Sequence, residues 1–567
     1  MEKRWIEYEV PDQQVVGQLS SALNLNEHLT SLLVQRGIKT FDQAKKFFRP
    51  SLAHLYDPFL MKDMEMAVNR LCDAVHSGEK ILIYGDYDVD GTTSVAMTYN
   101  FIREFTDQIS YYIPDRYSEG YGISEKGVRW AKEEGYSLMI ALDCGIRAVN
   151  NIGLAKELGL DVIVCDHHLP GEELPPALAI LDPKRKDDAY PFKELSGCGV
   201  GFKLLQGFCL QNTVPLERLY NYLDFVAVSI ASDIVPIVDE NRVLTFYGVK
   251  KLNHAPSPGL KSLIEISGLK VPIGISDIVF YIGPRINATG RLSHARESVR
   301  LLISDDEKEL SNFADHLNSK NTERRDFDQT TTAEALEMIE SDEKLIIAKS
   351  TVLFKNDWHK GVVGIVASRC IEKYYRPTII LTESNGKITG SARSVDGFNL
   401  YEAIKSCEDL LEQFGGHTHA AGLSLLPENL DDFKVRFEEV VSKNILEDQL
   451  IPKIQVDQQV NFDFINFKTL KIISQMAPFG PQNPQPIFVS SNVRVKGKPK
   501  VIKDQHLKLM LFQEGHPKTV ESVGFGMAEK LEMIENARSI SIAYHIDLNE
   551  YMGNKTIQLI IKDIKED

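Results

Sequence analysis

Three carboxylates at alternate positions, Asp86, Asp88 and Asp90 in YGDYDVDGTTS, follow directly on an apolar run at 81–83. Like charges this close raise one another's pKa and cost free energy unless something positive holds them. Three further fragments carry matching groups: Asp143 in ALDCGI, Asp166, His167 and His168 in VCDHHLP, and Asp233 in SIASDIVP. Hard carboxylates with one or two imidazoles suit Mn2+ or Mg2+, and several carboxylates converging suit a pair of such ions. Two metals a few ångströms apart activate water and stabilise the leaving oxygen in phosphoester hydrolysis. Each fragment alone has a blander explanation, since Asp favours turns and helix N-caps and a His pair is more often a surface or core feature. Four fragments at successive strand ends of one sheet favour shared chemistry.

Other residues suit phosphate and nucleic acid. GPRINATGR carries Arg285, Asn287 and Arg291; arginine presents a planar fork of donors that a phosphate accepts bidentately, and the glycines permit close backbone approach. A structural salt-bridge network is the alternative. GSARS offers Ser391 and Arg393, and FGGHTHAAG offers Gly415, Gly416, His417 and His419. Such a diglycine turn exposes backbone N–H groups and keeps bulk away from a substrate. His359 in NDWHKGVVGIVASR precedes a helix, whose N-terminus is an anion site. Arg494, Lys496, Lys498, Lys500, Lys503 and Lys508 gather against the single Asp504. With Phe479, Phe488, Phe512 and Phe525, this basic β-region fits single-strand binding by charge neutralisation and base stacking, with a solvated basic strand face as the alternative.

The elements that must position these groups are legible as patterns. Between 80 and 182, the runs KILIYGDY, ISYYIPD, SLMIALDC, DVIVCDHH and AILDP alternate with helix-like segments. Continuous apolarity predicts parallel strands covered on both faces, and ligands gather beyond the carboxyl ends of such strands. Three more helical stretches are expected up to about residue 269, followed by the GPRINATGR segment. A polar, helix-compatible connector follows at 297–343, then a second α/β block at 344–445. From 451 to 567 the chain is β-rich, with short strands and turn signals that suggest a small barrel or sandwich. Residues 1–55 read as a helical pair expected to pack against the catalytic core at 56–296.

At 567 residues the chain exceeds one compact core. With 43% hydrophobic and 25% charged residues it has an ordinary globular composition. Its N-terminus has no apolar signal-like region and no stretch is long enough for a membrane helix, which leads to a cytoplasmic assignment. Seven cysteines without a CxxC pair argue against a zinc knuckle or a disulfide framework. The formal charge of −16 argues against a uniformly basic nucleic-acid coat but allows an acidic metal site with a local basic groove.

In order and spacing, DYDVDG, ALDCG, DHH and ASDIVP resemble the four motifs of the DHH phosphoesterase superfamily. GPRINATGR resembles a motif of its RecJ-type branch, the single-strand-specific 5′→3′ DNA exonucleases, and GSARS and FGGHTHAAG resemble the DHH-associated domain. The resemblance spans roughly 50–440 and extends less specifically into the third block. It implies a multidomain α/β protein: a parallel-sheet DHH catalytic domain, a long helical connector, a smaller α/β DHH-associated domain and a C-terminal OB-like β-barrel. Carried over by position, Asp88 and Asp90 match the metal-binding pair, with Asp86 a third ligand or a group behind the ligands. Asp143 matches the carboxylate bridging two metals, His167 a ligand, Asp233 the last carboxylate, and His168 a group near the scissile phosphate. Arg285 and His417 would hold developing phosphate charge. Tyr84 stands where some superfamily members carry a histidine. The implied cofactor is Mn2+ or Mg2+, two ions; the implied partners are single-stranded DNA, a single-strand-binding protein and a helicase, acting on a monomer in DNA repair and recombination. A phosphodiesterase for dinucleotides and a non-catalytic scaffold are the competing readings.

Overall fold

A computed structural model of the chain describes residues 2–384, 386–551 and 553–567. After a short strand, β1 (Arg4–Glu7), comes the sheet that matters most for chemistry: β2 (Ile81–Gly85), β3 (Ile109–Tyr112), β4 (Leu138–Leu142), β5 (Asp161–Cys165) and β6 (Ala179–Leu181). All five strands are parallel, in the spatial order β3-β2-β4-β5-β6. Every residue of β2, β4 and β6 is buried, as continuous apolar runs require. One face packs through Leu82, Met139 and Val162 onto Val128, Ala131, Ile152 and Ala155 of the helices Glu125–Glu133 and Val149–Glu157. The helices Val89–Ile102, Gly197–Gln211 and Leu223–Ser232, buried nearly all round, form a second layer. The chain runs outward from β2 to β3, then returns to place β4 on the other side of β2. That reversal is a topological switch point, where loops leaving the two strands part and open a crevice. YGDYDVDG leaves β2 and LDCG leaves β4 at this crevice.

Beyond the sheet there are five helices, Gly197–Gln211, Leu216–Tyr220, Leu223–Ser232, Asp239–His254 and Pro258–Ile266, where the sequence suggests three. Leu216–Tyr220 is too short to show a period, and Leu223–Ser232 is apolar on every side, so neither carries an amphipathic signature. GPRINATGR is itself helical, within Gly283–Leu292. Pro284, which has no N–H to donate, lies just after the π-helical turn Ile278–Ile282, where the regular ladder is already interrupted. Gly283 serves helix packing: a Cβ there would come 2.9 Å from Ser232 Oγ.

The chain divides into two compact units, one formed by Trp5–Pro284, Ser298–Ser311 and Gln455–Asp567, the other chiefly by Arg285–Glu297 and Asn312–Ile454. The connector is the 34-residue helix Glu307–Glu340. In the second unit, β7 (Thr351–Phe354), β8 (Thr378–Ser384), β9 (Lys387–Arg393), β10 (Gln413–Gly416) and β11 (Ala420–Leu425) form a sheet of order β10-β11-β9-β8-β7. Only β7 and β8 pair in parallel. The helices Val363–Lys373 and Leu430–Asn444 cover it, with cores around Val366 and Ile380 and around Phe433, Phe437 and Leu423.

The β-rich region contains β12 (Lys453–Val456), β13 (Gln458–Gln459), β14 (Phe488–Val495), β15 (Lys500–Ile502), β16 (His506–Gln513), β17 (Thr519–Gly524), β18 (Ile540–Tyr551) and β19 (Asn554–Glu566). The order β14-β18-β19-β17-β16, with β16 pairing back onto β14, closes a five-stranded barrel. Leu507, Leu509 and Leu511 alternate into its core. The N-terminal region is three helices, Gln13–Leu23, Glu27–Gln35 and Phe41–Phe48, and their apolar faces complete this barrel core: Val16, Leu19, Leu29 and Leu32 pack with Phe462, Ile473, Phe488 and Leu511. The end of this region also meets the catalytic core, where Arg242 donates to the Phe47 carbonyl and Tyr247 to the Pro50 carbonyl, so residues 1–55 join the barrel core as well as the catalytic core they were expected to pack on. Amphipathicity reveals an apolar face but not its partner.

Candidate metal centre

Asp88 is the N-cap of the helix Val89–Ile102, its Oδ1 accepting from the Gly91 N–H at 3.0 Å. A Cβ at Gly91 would lie 2.6 Å from the Asp86 carbonyl oxygen, so glycine is what lets the loop fold this tightly. Asp90 is buried; its Oδ2 accepts from Gly197 N–H (2.7 Å) and its Oδ1 from Cys198 N–H (2.8 Å) and Ser229 Oγ (2.7 Å). One carboxylate thus ties the DxD loop to the N-terminus of the helix Gly197–Gln211. Asp143 leaves β4 with φ +59°, a left-handed conformation that Asp tolerates better than most residues. Asp233 does not end a strand, as expected, but is the C-cap of the helix Leu223–Ser232, whose apolar run reads like a buried strand; Ile234 after it has φ +61°. His167, at the end of β5, directs Nε2 into these acids: 3.2 Å to Asp143 Oδ1, 3.5 Å to Asp233 Oδ2 and 3.7 Å to Asp90 Oδ2.

The electrostatics ask for a cation. Burial, then the charges of Asp90, Asp88 and Asp233, push Asp143 far above the ordinary carboxylate range. Burial and Asp88 do the same to Asp86, and burial and Asp90 raise Asp88. Burial, with Asp90 and Asp88, lifts Asp233 to about 8. Burial lowers His167, keeping its ring neutral and able to act as a ligand. Among the described residues, Asp86 Oδ1, Asp143 Oδ1 and His167 Nδ1 are buried without a hydrogen-bond partner. Two overlapping sets, Asp143 with His167 and His168, and Asp90 with His167 and Asp233, each bring ligand atoms within 4.8 Å of one another. This oxygen-rich set fits Mn2+ or Mg2+, because divalent cations relieve the repulsion that otherwise protonates it.

A residue that sequence reasoning left without a role is Asp166, the first letter of DHH. Its Oδ1 accepts from His167 N–H (2.7 Å), His168 N–H (3.1 Å) and His168 Nδ1 (2.7 Å), and its Oδ2 from Ile146 N–H (2.9 Å). Burial opposes ionisation of Asp166, but these bonds and the His168 charge outweigh it and bring it to about 2. Burial likewise works against the His168 cation, and Asp166 overrides it, raising His168 to about 9. Tyr121 joins the same wall, donating to the Asp143 carbonyl at 3.0 Å with its hydroxyl 3.3 Å from His168 Nε2. Nothing in the local spacing of Tyr121 distinguishes it from a core aromatic. The buried Asp182, raised to about 7 chiefly by burial, ends β6 behind this group.

In the second unit the expected phosphate residues fall into two groups. Arg291 donates to the Gly361 carbonyl (3.1 Å), and Arg285 Nε to Asn318 Oδ1 (3.0 Å), with Asn287 half-buried on the same helix. His359 stacks on Phe327 at 5.1 Å and accepts from Gly361 N–H at 3.0 Å. Along the sheet, Arg393 pairs with Ala420, Ser391 with Gly422, and Gly422 with Gly415. Arg393 donates to Ser391 Oγ at 2.7 Å. Gly416, φ +148°, leads into the hairpin turn of His417 and His419, whose rings lie 6.2 Å apart. Small residues at 390, 391, 415 and 422 keep this stretch of sheet low.

On the barrel, Lys496, Lys498, Lys500 and Lys503 are exposed, whereas Arg494 pairs with Glu514 (2.9 Å) and Lys508 with Glu521 (2.8 Å). The expected stacking role of Phe488 is corrected: it is fully buried in the barrel core, because β14 alternates and Phe488 falls on the inner face. Phe512 is half-buried, and Phe479 packs partly buried against the same core. Phe525 is exposed and meets His506 edge-on.

Three family descriptions match the chain: the DHH family, N-terminal domain, over residues 80–230, the DHHA1 domain over 342–443 and the RecJ OB domain over 456–563. The single-stranded-DNA-specific exonuclease RecJ of Bacillus subtilis is 39% identical over 99% of this chain and 70% of its own length. That of Salmonella typhimurium is 32% identical over 94% of this chain and 95% of its own length. Among solved structures, RecJ in complex with Mn2+ from Thermus thermophilus aligns with a TM-score of 0.86 at 26% identity, covering 100% of this chain and 80% of that one. A crystal structure of exonuclease RecJ bound to manganese aligns with a TM-score of 0.61 at 32% identity, covering 70% of this chain and 97% of that one.

Proposed function

The chain belongs to the RecJ family of single-stranded-DNA-specific exonucleases, and from that membership we propose a metal-dependent exonuclease that hydrolyses single-stranded DNA from its 5′ end and releases mononucleotides. The observation that carries this reading is the convergence of Asp90, Asp143 and Asp233 on the single imidazole of His167 at the switch point of a parallel sheet. Asp88, Asp90, Asp143, His167 and Asp233 would hold two Mn2+ or Mg2+ ions, with Asp86 behind them. When bound, such ions supply a water deprotonated near neutral pH and a countercharge for the leaving oxygen. Asp166 holds His168 by Nδ1 and keeps the ring charged, so His168 has Nε2–H to donate to a phosphate oxygen as charge develops. Asp90, fixed by two backbone N–H groups and a hydroxyl, holds the geometry of the crevice while charge moves in it.

On the second unit, Arg285, Asn287, Arg291 and His359 in one group, and Ser391, Arg393, Gly415, Gly416, His417 and His419 in another, would bind the strand's backbone, with Arg285 and His417 holding phosphate charge. Lys496, Lys498 and Lys500, with Arg494, would bind the strand on the barrel, supported by their common surface and by the exposed Phe525. An enzyme that consumes only single strands needs duplex opened upstream, so a helicase and a single-strand-binding protein in repair and recombination are fitting partners of a monomer. No helix among the described residues is long and apolar enough to cross a membrane; a cytoplasmic location is part of the proposal and rests on the DNA substrate. The test is digestion of 5′-labelled and 3′-labelled single strands beside the matching duplex, with Mn2+, Mg2+ or EDTA. Early release of the 5′ label as mononucleotide, with duplex and EDTA samples intact, is the expected result. Release of the 3′ label first, or cleavage of dinucleotides alone, would replace the proposal.

A further inference from the structure

Three consecutive buried polar residues, Glu240, Asn241 and Arg242, open the helix Asp239–His254. Such a run is costly unless its groups are paired; each residue here reaches a different part of the molecule, although Asn241 Oδ1 is buried without a hydrogen-bond partner. Glu240 accepts from Lys203 Nζ (3.0 Å), Tyr56 N–H (2.8 Å) and Tyr190 Oη (2.6 Å). Asn241 Nδ2 donates to the carbonyls of Glu194 (2.5 Å) and Pro236 (2.9 Å). Glu194 lies just before Ser196, the N-cap of the helix whose first N–H groups hold Asp90. Pro236 lies just after Asp233. A single side-chain amide therefore links the segment whose N–H groups hold the Asp90 carboxylate to the segment that carries Asp233.

Arg242 ties that bridge to the barrel. Its partners are main-chain carbonyls: Met476 (2.9 Å), Ala477 (3.0 Å), Pro478 (3.3 Å) and Phe47 (3.1 Å), whose ring lies 3.9 Å from the guanidinium. The same barrel loop returns a bond, the Ile237 N–H donating to the Pro481 carbonyl at 2.9 Å. Gly480 lies flat on Ile237, where a Cβ would come 2.5 Å from Cδ1. Asn483 holds the loop's shape by donating to the Met476 and Pro478 carbonyls at 3.0 and 2.8 Å. Between Asp233 and this clamp stands Ile234 at φ +61°. A β-branched residue persists in the left-handed region only where the chain is fixed on both sides. The helix Leu223–Ser232 fixes one side, and Asn241 with Pro481 fixes the other.

We propose that Asn241 and Arg242 are positioning residues for the metal centre, Asn241 setting the separation between the 194–198 segment that holds the Asp90 carboxylate and the segment that carries Asp233, and Arg242 making that separation depend on the docked barrel loop 476–483. This role rests on Asp90 and Asp233 being metal ligands. Groups behind ligands, which orient them, typically change metal affinity by roughly 10–100-fold when altered.

The test is calorimetric titration of Mn2+ into the full-length protein, with circular dichroism and thermal unfolding recorded in EDTA. Arg242→Met and Asn241→Leu remove the donors, and Arg242→Lys restores a cation without the planar fork. Gly480→Ala removes no hydrogen-bonding group and acts by displacing Ile237, so it remains informative if a clamp variant fails to fold. Asp233→Asn is the control for the ligand assignment. The expected result is Mn2+ affinity lower by roughly tenfold or more in the folded Arg242→Met and Gly480→Ala variants, partial recovery in Arg242→Lys, and the largest loss in Asp233→Asn. Folded clamp and glycine variants that bind Mn2+ within about twofold of wild type, beside an Asp233→Asn that has lost it, would overturn the positioning role and leave the metal centre standing. An Asp233→Asn that binds as wild type would overturn both.

Discussion

The acids of the centre set activity against stability. Asp143 is buried among Asp90, Asp88 and Asp233 and is pushed far above the carboxylate range, so its charge destabilises the metal-free protein. Asp143→Asn should raise the unfolding temperature in EDTA, by roughly 1 °C for each kcal/mol of repulsion relieved in a unit of this size. The same change should lower the rate of single-strand hydrolysis by about 10³-fold, the scale of a lost electrostatic stabiliser. Asp233 gives the pH dependence. Its folded pKa is raised to about 8 from the ordinary 3.8, so the folded state holds the proton more tightly. The stability this contributes is present below 3.8 and is lost as pH rises through about 8. Thermal melts in EDTA should therefore fall between pH 5 and pH 8.5, less steeply in Asp233→Asn, and Mn2+ should flatten the slope. An equal slope in the variant would contradict the assignment. The acids themselves were legible in the sequence, because like charges at strand ends need a reason. Asp166 was visible as part of DHH, but its grip on the His168 Nδ1 depends on a backbone turn that spacing does not encode.

At the scale of elements, the five parallel strands were legible because runs buried on both faces are continuously apolar. The GPRINATGR helix and the short helix Leu216–Tyr220 were not, since glycine content and short length hide the helical period. On the barrel, alternation separates two phenylalanines that composition treats alike. Phe488→Ala should cost about 3–5 kcal/mol of barrel stability, as a large core truncation does. Phe525→Ala should leave the melting temperature nearly unchanged while weakening single-strand binding by about 1–3 kcal/mol, the worth of one stacked base. Fluorescence anisotropy beside thermal melts distinguishes the two; equal melting losses would remove Phe525 from the binding surface. Replacing Lys496, Lys498 and Lys500 together by Ala should reduce the slope of log K against log salt by about 0.7 for each phosphate that is no longer neutralised. An unchanged slope would mark these lysines as a solvated face.

Over the whole molecule, the N-terminal helices belong to the barrel core although more than 400 residues of chain separate Leu32 from Phe462 and Phe488. Sequence patterning cannot report such a pairing, because an apolar face fits any apolar partner. The same long-range packing brings Arg242 to the barrel loop, so the catalytic sheet and the barrel share one compact unit. Within that unit Asp88, Asp90, Asp143, His167 and Asp233 would form a site for two divalent ions. The most direct test is anomalous X-ray scattering at the manganese edge from crystals grown with Mn2+. Two anomalous peaks a few ångströms apart are expected, both within ligand distance of Asp143 and one beside His167. A single peak away from these residues, or none at the ends of β2, β4 and β5, would contradict the two-ion site.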